Sequence, residues 1–188
     1  IVIEISHGMR YIHSKNHIYR DLNINNIMLN SVFQAKLINF CLARMNDKLF
    51  GEEKMSAYSL TKNVGTDVFM SPEMFNEEEY DNKTDVYSFG IVVYFIFVGE
   101  LPKQKINDII KGKAIDLPKE SASISKACIE LISKCLSIDP KDRPTFDEII
   151  EFIRNSKYML TSDVDPTIIS QRDYELEMIE TWVLFWKK

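Results

Sequence analysis

DVYSFGIVVYFIFVG, residues 85–99, is the stretch on which the reading of this chain turns. Between Val86 and Val98 only Ser88 and Gly90 are not strongly apolar, so the segment has no polar face to offer water and is predicted to be buried all round. Its β-branched and aromatic residues would also suit a strand, and periodicity alone does not separate the two. The flanking residues favour a helix. Thr84 and Asp85 are N-cap types, and Gly99 followed by Pro102 is a stop signal. A membrane helix needs about 20 apolar residues, and residues 86–98 fall short of that.

Around this core element, 188 residues with 45% hydrophobic and 27% charged side chains are enough for one domain with a substantial core. A net charge of −5 and the lack of any long basic run argue against nucleic acid or an anionic membrane as partner, and for proteins or small molecules. Cys41, Cys128 and Cys135 are an odd number at no metal-ligand spacing, which fits free thiols in the cytoplasm. Cys128 and Cys135 share one face of a predicted helix and are read as core. The chain opens at Ile1 with no leader pattern and reads as a fragment.

Upstream of the core stretch, Ile1, Ile5, Met9 and Ile12 recur at helical spacing, predicting an amphipathic helix that ends near residues 14–16. Two short apolar runs, IMLN and AKLI, flank Asn30 and Ser31 and predict a hairpin. Residues 46–63 form a long polar segment of the kind that carries function. Pro72 and Glu73 begin a short element, and residues 76–83 read as an acidic loop. Downstream, residues 107–111 and 125–137 read as helices, with a turn at Asp139-Pro140. Thr145 and Glu148 have capping-box spacing, opening a helix buried through Ile149, Ile150 and Ile153. The organisation is thus a lobe over 1–155 and a tail over 156–188. The tail is read as a linker followed by a helix with Tyr174, Met178, Trp182 and Phe185 on one side.

The chemistry concentrates in Tyr19-Arg20-Asp21-Leu22-Asn23-Ile24-Asn25-Asn26, with Asn39-Phe40-Cys41 following the two predicted strands. This resembles the protein kinase family: the loop matches H-R-D-L-x-x-x-N, and positions 39–41 match D-F-G. Gly65-Thr66 with Met70-Ser71-Pro72-Glu73 looks like the end of the family's activation segment. Residues 85–90 look like the start of its buried central helix. The run from Cys135 to Thr145 looks like the closing motif of its carboxy-terminal lobe, in the style of the tyrosine-kinase-like group of serine/threonine kinases.

The resemblance implies an α+β protein-kinase-like fold, of which this chain is the mainly α-helical C-lobe with a short β-hairpin. It also implies ATP and Mg²⁺ as cofactors and a protein Ser/Thr substrate or a protein partner. By resemblance, Asp21 orients the substrate hydroxyl, Asn26 and Asn39 hold the metal, and Met28 and Ile38 line the adenine pocket. Arg20 pairs with a phosphate accepted at Ser56, Tyr58, Ser59 or Thr61, Thr66 belongs to the catalytic set, and Glu73 pairs with Arg143 in the interior.

Tyr19 for His, Ser71 for Ala and Tyr87 for Trp are mild departures from the pattern, and three further positions depart at the site itself. Asn39 stands for the metal-binding Asp, which removes a unit charge beside a dication. Asn23 stands for a Lys that reaches the transferring phosphate, a loss of about 1.5–3 kcal/mol and roughly one to two decades in rate. Cys41 replaces a Gly, giving up φ > 0 at little cost. No Gly-rich loop or V-A-I-K lysine occurs in the chain, so half of a nucleotide site is expected to be missing from it. Phosphoryl transfer is therefore expected to be weak or lost, the alternative being a pseudokinase module that binds a partner.

Overall fold

The computed structural model describes residues 1–45, 67–104, 108–109, 113–119 and 124–156. Helix α1 (Val2–Ser14) forms on the predicted periodicity and buries Val2, Ile5, Met9 and Ile12. Strand β1 (His17–Ile18) follows, then a 3-10 turn (Ile24–Asn26), and then β2 (Ile27–Leu29) and β3 (Ala35–Leu37). The last two pair antiparallel with Met28 opposite Lys36, which is the expected hairpin. Asn30 makes its turn: Oδ1 accepts from the N–H of Val32 and of Gln34, at 3.1 and 2.9 Å. Strand β4 (Arg44–Met45) returns to pair with β1, Ile18 lying opposite Arg44.

Helix α1 is the platform for the hairpin. Glu4 Oε2 accepts the N–H of Ala35 at 2.8 Å, satisfying a donor on β3 that its partner strand does not reach. Gly8 permits the close approach, since a Cβ there would sit 3.1 Å from Leu37 Cδ1.

After α2 (Pro72–Phe75), the apolar stretch forms α3 (Lys83–Val98), ended by Gly99 at φ 82°. Two features differ from the sequence reading. The helix starts at Lys83 with Asn82 as an uncapped N-terminus, so Thr84 and Asp85 lie inside its first turn and serve tertiary bonds instead. Burial is continuous only from Thr84 to Val93; beyond Tyr94 the helix emerges, and Ile96 is exposed.

Helix α4 (Lys126–Cys135), capped by Ser125, crosses α3 at Gly90, where an added Cβ would lie 2.8 Å from Cys135 Cβ and Leu136 Cδ2. Cys128 and Cys135 are buried on one face as read. Helix α5 (Phe146–Asn155) begins with the expected capping box and packs on α1. Phe146 stacks edge-on against both Phe89 and His13, at 5.2 and 5.1 Å between ring centres.

Glu73 and Arg143 meet as expected in a bidentate pair at 2.6 and 2.9 Å, with the arginine side chain fully buried. The result is a helix-rich lobe with the expected hairpin, to which the β1–β4 pair adds a second two-stranded sheet that the sequence reading did not include. No helix of the described residues is long and apolar enough to cross a membrane. Of the segment 107–111 only residues 108–109 are described, and they are helical. The tail helix lies outside the described residues.

Candidate active site

The loop after β1 is held from below by Asp85. This carboxylate has no exposure, and its two oxygens accept the backbone N–H groups of Tyr19 and Arg20, each at 2.8 Å. His13 Nε2 lies 2.9 Å from Oδ2. Three donors from α1 and the loop thus converge on one buried charge, which is how such a group is tolerated in an interior. The clamp fixes an unusual backbone, for Arg20 is at φ 67°.

The side chains of the loop are paired with one another. Asn26 Nδ2 donates to the Asp21 carbonyl at 2.8 Å. Asn23 is buried and works at both ends of its amide: Nδ2 donates to Asp21 Oδ1 at 2.8 Å and to the Asp21 carbonyl at 3.0 Å, while Oδ1 accepts the Asn25 N–H. Burial pushes the half-buried Asp21 carboxyl above its ordinary range, opposed by hydrogen bonds from Asn26 and Asn23.

Across from the loop, Asn39 follows β3 at φ 61°, ψ 70°. Its Nδ2 lies 3.4 Å from Asp21 Oδ2 and 3.3 Å from Asn26 Oδ1, so the fold brings Asp21, Asn26 and Asn39 together. Phe40 packs edge-on against Tyr19 at 5.2 Å, and the Tyr19 hydroxyl donates to the Ile38 carbonyl, joining the two segments on the apolar side. Cys41 lies in a 3-10 turn (Phe40–Leu42) without positive φ, so the backbone asks for no glycine there.

The remaining expected residues are placed as follows. Arg20 points its guanidinium at the Leu42 carbonyl (2.6 Å) and the Tyr80 hydroxyl (3.0 Å). Met28 on β2 is 56% exposed, and Ile38 is half-buried. Thr66 and the phosphate-acceptor candidates Ser56, Tyr58, Ser59 and Thr61 lie outside the described residues. The sequence reading missed the roles of Asp85, His13, Tyr80 and Asn23. For Asp85 a signal existed, because a carboxylate beginning a wholly apolar run must find donors.

Magnesium is bound by oxygen, in near-octahedral geometry. Here Asp21 is the single carboxylate of the cluster, Asn26 adds one neutral oxygen, and Asn39 presents nitrogen. As arranged, this donor set does not fit the ion.

Residues 1–153 match the family described as protein kinase domain. The chain is 34% identical over 166 residues to the RGS domain-containing serine/threonine-protein kinase A of Dictyostelium discoideum, covering 85% of this chain and 14% of that protein. To the probable serine/threonine-protein kinase kinX of the same organism it is 32% identical over 179 residues, 93% of this chain and 15% of the other. To the serine/threonine/tyrosine-protein kinase HT1 of Arabidopsis thaliana it is 35% identical over 157 residues, 80% and 37% respectively. The chain therefore spans well under half the length of these relatives.

Proposed function

This chain belongs to the protein kinase family, and we propose that it is a lobe of the tyrosine-kinase-like serine/threonine group in which ATP-dependent phosphoryl transfer to protein Ser or Thr is weak or lost. The observation that carries this reading is the Asn39 amide, whose nitrogen faces Asp21 and Asn26. Phosphoryl transfer asks a protein for positioning and for neutralisation of charge on the phosphates. The first requirement is supported: Asp21 is a half-buried carboxylate held by Asn23, suited to orienting a substrate hydroxyl. The second is not, because Asn39 supplies a neutral amide where the family pattern has a metal-binding carboxylate.

In this reading Asn26 keeps the loop closed on Asp21, and Met28 and Ile38 offer a floor to adenine. Thr66 completes the substrate end. A phosphate on Ser56, Tyr58, Ser59 or Thr61 would compete with the Leu42 carbonyl and Tyr80 for Arg20, as a dianion offers the guanidinium a stronger acceptor. The partner is a protein, in keeping with the net charge of −5. The cytoplasm is the compartment we assign, supported by three cysteines, of which Cys128 and Cys135 are buried in the core. A second reading, a partner-binding module without catalysis, is favoured by the exposed side chains Phe33, Phe40 and Met45.

The test is transfer from labelled ATP to a protein substrate by the full-length gene product, beside its Asp21→Ala variant. The two are expected to be equal within background. Turnover well above Asp21→Ala would overturn the reading and establish an active kinase.

A further inference from the structure

We propose that the Asn39 amide nitrogen takes the place of a cation, cross-linking Asp21 and Asn26 so that the loop is ordered without a divalent ion. An –NH₂ group carries two protons, and here it meets two acceptors, Asp21 Oδ2 and Asn26 Oδ1, one of them anionic. Both contacts, at 3.4 and 3.3 Å, are longer than an ordinary N–H···O bond, so each is individually weak and the link rests on the two acting together. The opposite orientation of the amide would crowd three oxygens together with no proton among them, so the neighbours fix which end faces inward.

The backbone supports the same residue. At φ 61°, ψ 70° position 39 is in the left-handed region, which Asn occupies more readily than other non-glycine residues. The amides of Asn23 and Asn26 are already engaged: Asn23 Nδ2 holds Asp21 Oδ1, and Asn26 Nδ2 holds the Asp21 carbonyl. An ion entering between Asp21 and Asn26 would have to turn the Asn39 amide over and break both of its contacts. Until the ion was seated, that turn would leave the amide oxygen facing a carboxylate.

The inference rests on the proposed function only in assigning position 39 to the metal end of the site. Its test does not involve turnover, so either can fail alone. The probes are Mn²⁺, followed by electron paramagnetic resonance of the free ion, and thermal melting of the full chain in EDTA or millimolar Mg²⁺. The wild-type chain is expected to bind no Mn²⁺ below millimolar concentration and to melt at the same temperature in both buffers. Asn39→Asp sets two carboxylates side by side, so it is expected to melt lower in EDTA and to recover in Mg²⁺. Asn39→Gly removes the donor without adding charge and accepts the positive φ, and is expected to melt lower in both. Sub-millimolar Mn²⁺ binding by the wild type, or a Mg²⁺-dependent rise in its melting temperature, overturns the proposal. So does Asn39→Gly melting no lower than wild type.

Discussion

Asp85 and Asn23 show how much a single polar residue does once it is buried. Sequence patterning makes Asp85 a cap and Asn23 a missing cation, because the donors that define them come from chain segments that no local pattern connects. Asp85 accepts from residues 65 and more positions away. Asp85→Asn replaces one acceptor oxygen by a donor facing backbone N–H, and is expected to destabilise by about 2–4 kcal/mol in chemical denaturation. Asn23 is not simply a lost charge, since its amide secures Asp21 and caps the turn after it. Asn23→Ala is expected to cost about 1–2 kcal/mol, and a lysine there, which has donors but no acceptor, would forfeit the cap on the Asn25 N–H. Asp21, Asn26 and Asn39 were legible because their motif spacing is short-range, whereas the inward direction of the Asn39 amide was not. Tyr87 is a contrary case: its buried hydroxyl has no partner among the described residues. Tyr87→Phe is therefore expected to be neutral or to stabilise by about 1 kcal/mol.

Elements followed from the sequence wherever a pattern repeats. The periodicity of α1, the hairpin around Asn30 and the Thr145–Glu148 box all form as read, while the 3-10 turn at Ile24–Asn26 depends on its Asn23 cap, and α3 starts earlier than read, drawing Thr84 and Asp85 into tertiary bonds that periodicity does not encode. Gly90 is where α3 and α4 come closest, so Gly90→Ala sets a methyl group against Cys135 Cβ. Helix propensity favours the change by about 1 kcal/mol, yet overpacking against a buried helix costs about 1–3 kcal/mol. Net destabilisation is expected. At α5, Glu148 is held below its ordinary carboxylate range by the Thr145 N–H and then by its hydroxyl. A lowered folded value means that the cap contributes fully above the ordinary value of 4.5 and fades as pH falls through the folded one. The destabilisation caused by Glu148→Gln should thus be present at neutral pH and shrink in acid, as melting across pH would record.

Across the whole lobe, Arg143 is the tie that connects distant segments. It pairs with Glu73 and donates to the carbonyls of Ser137, Lys83 and Ile138. Seventy residues separate the ion pair, which only the family resemblance, not any spacing, foretold. Removing one partner strands a buried charge, so Glu73→Ala is expected to cost about 3–5 kcal/mol. Met28, Leu29, Val32 and Phe33 are exposed on and around the hairpin, and so are Phe40 and Met45 after Asn39. Such a surface promotes association, and light scattering should show the chain self-associating at tens of micromolar. The site and this surface bear on one claim, that the lobe keeps the substrate end of a kinase site and has lost its metal end. Its most direct test is phosphoryl transfer by the full-length protein with and without Asn39→Asp. The account predicts that the parent stays at the Asp21→Ala background while Asn39→Asp rises at least about tenfold above it, a gain near 1.4 kcal/mol in transition-state stabilisation. Robust turnover by the parent, unchanged by Asn39→Asp and abolished by Asp21→Ala, would contradict it.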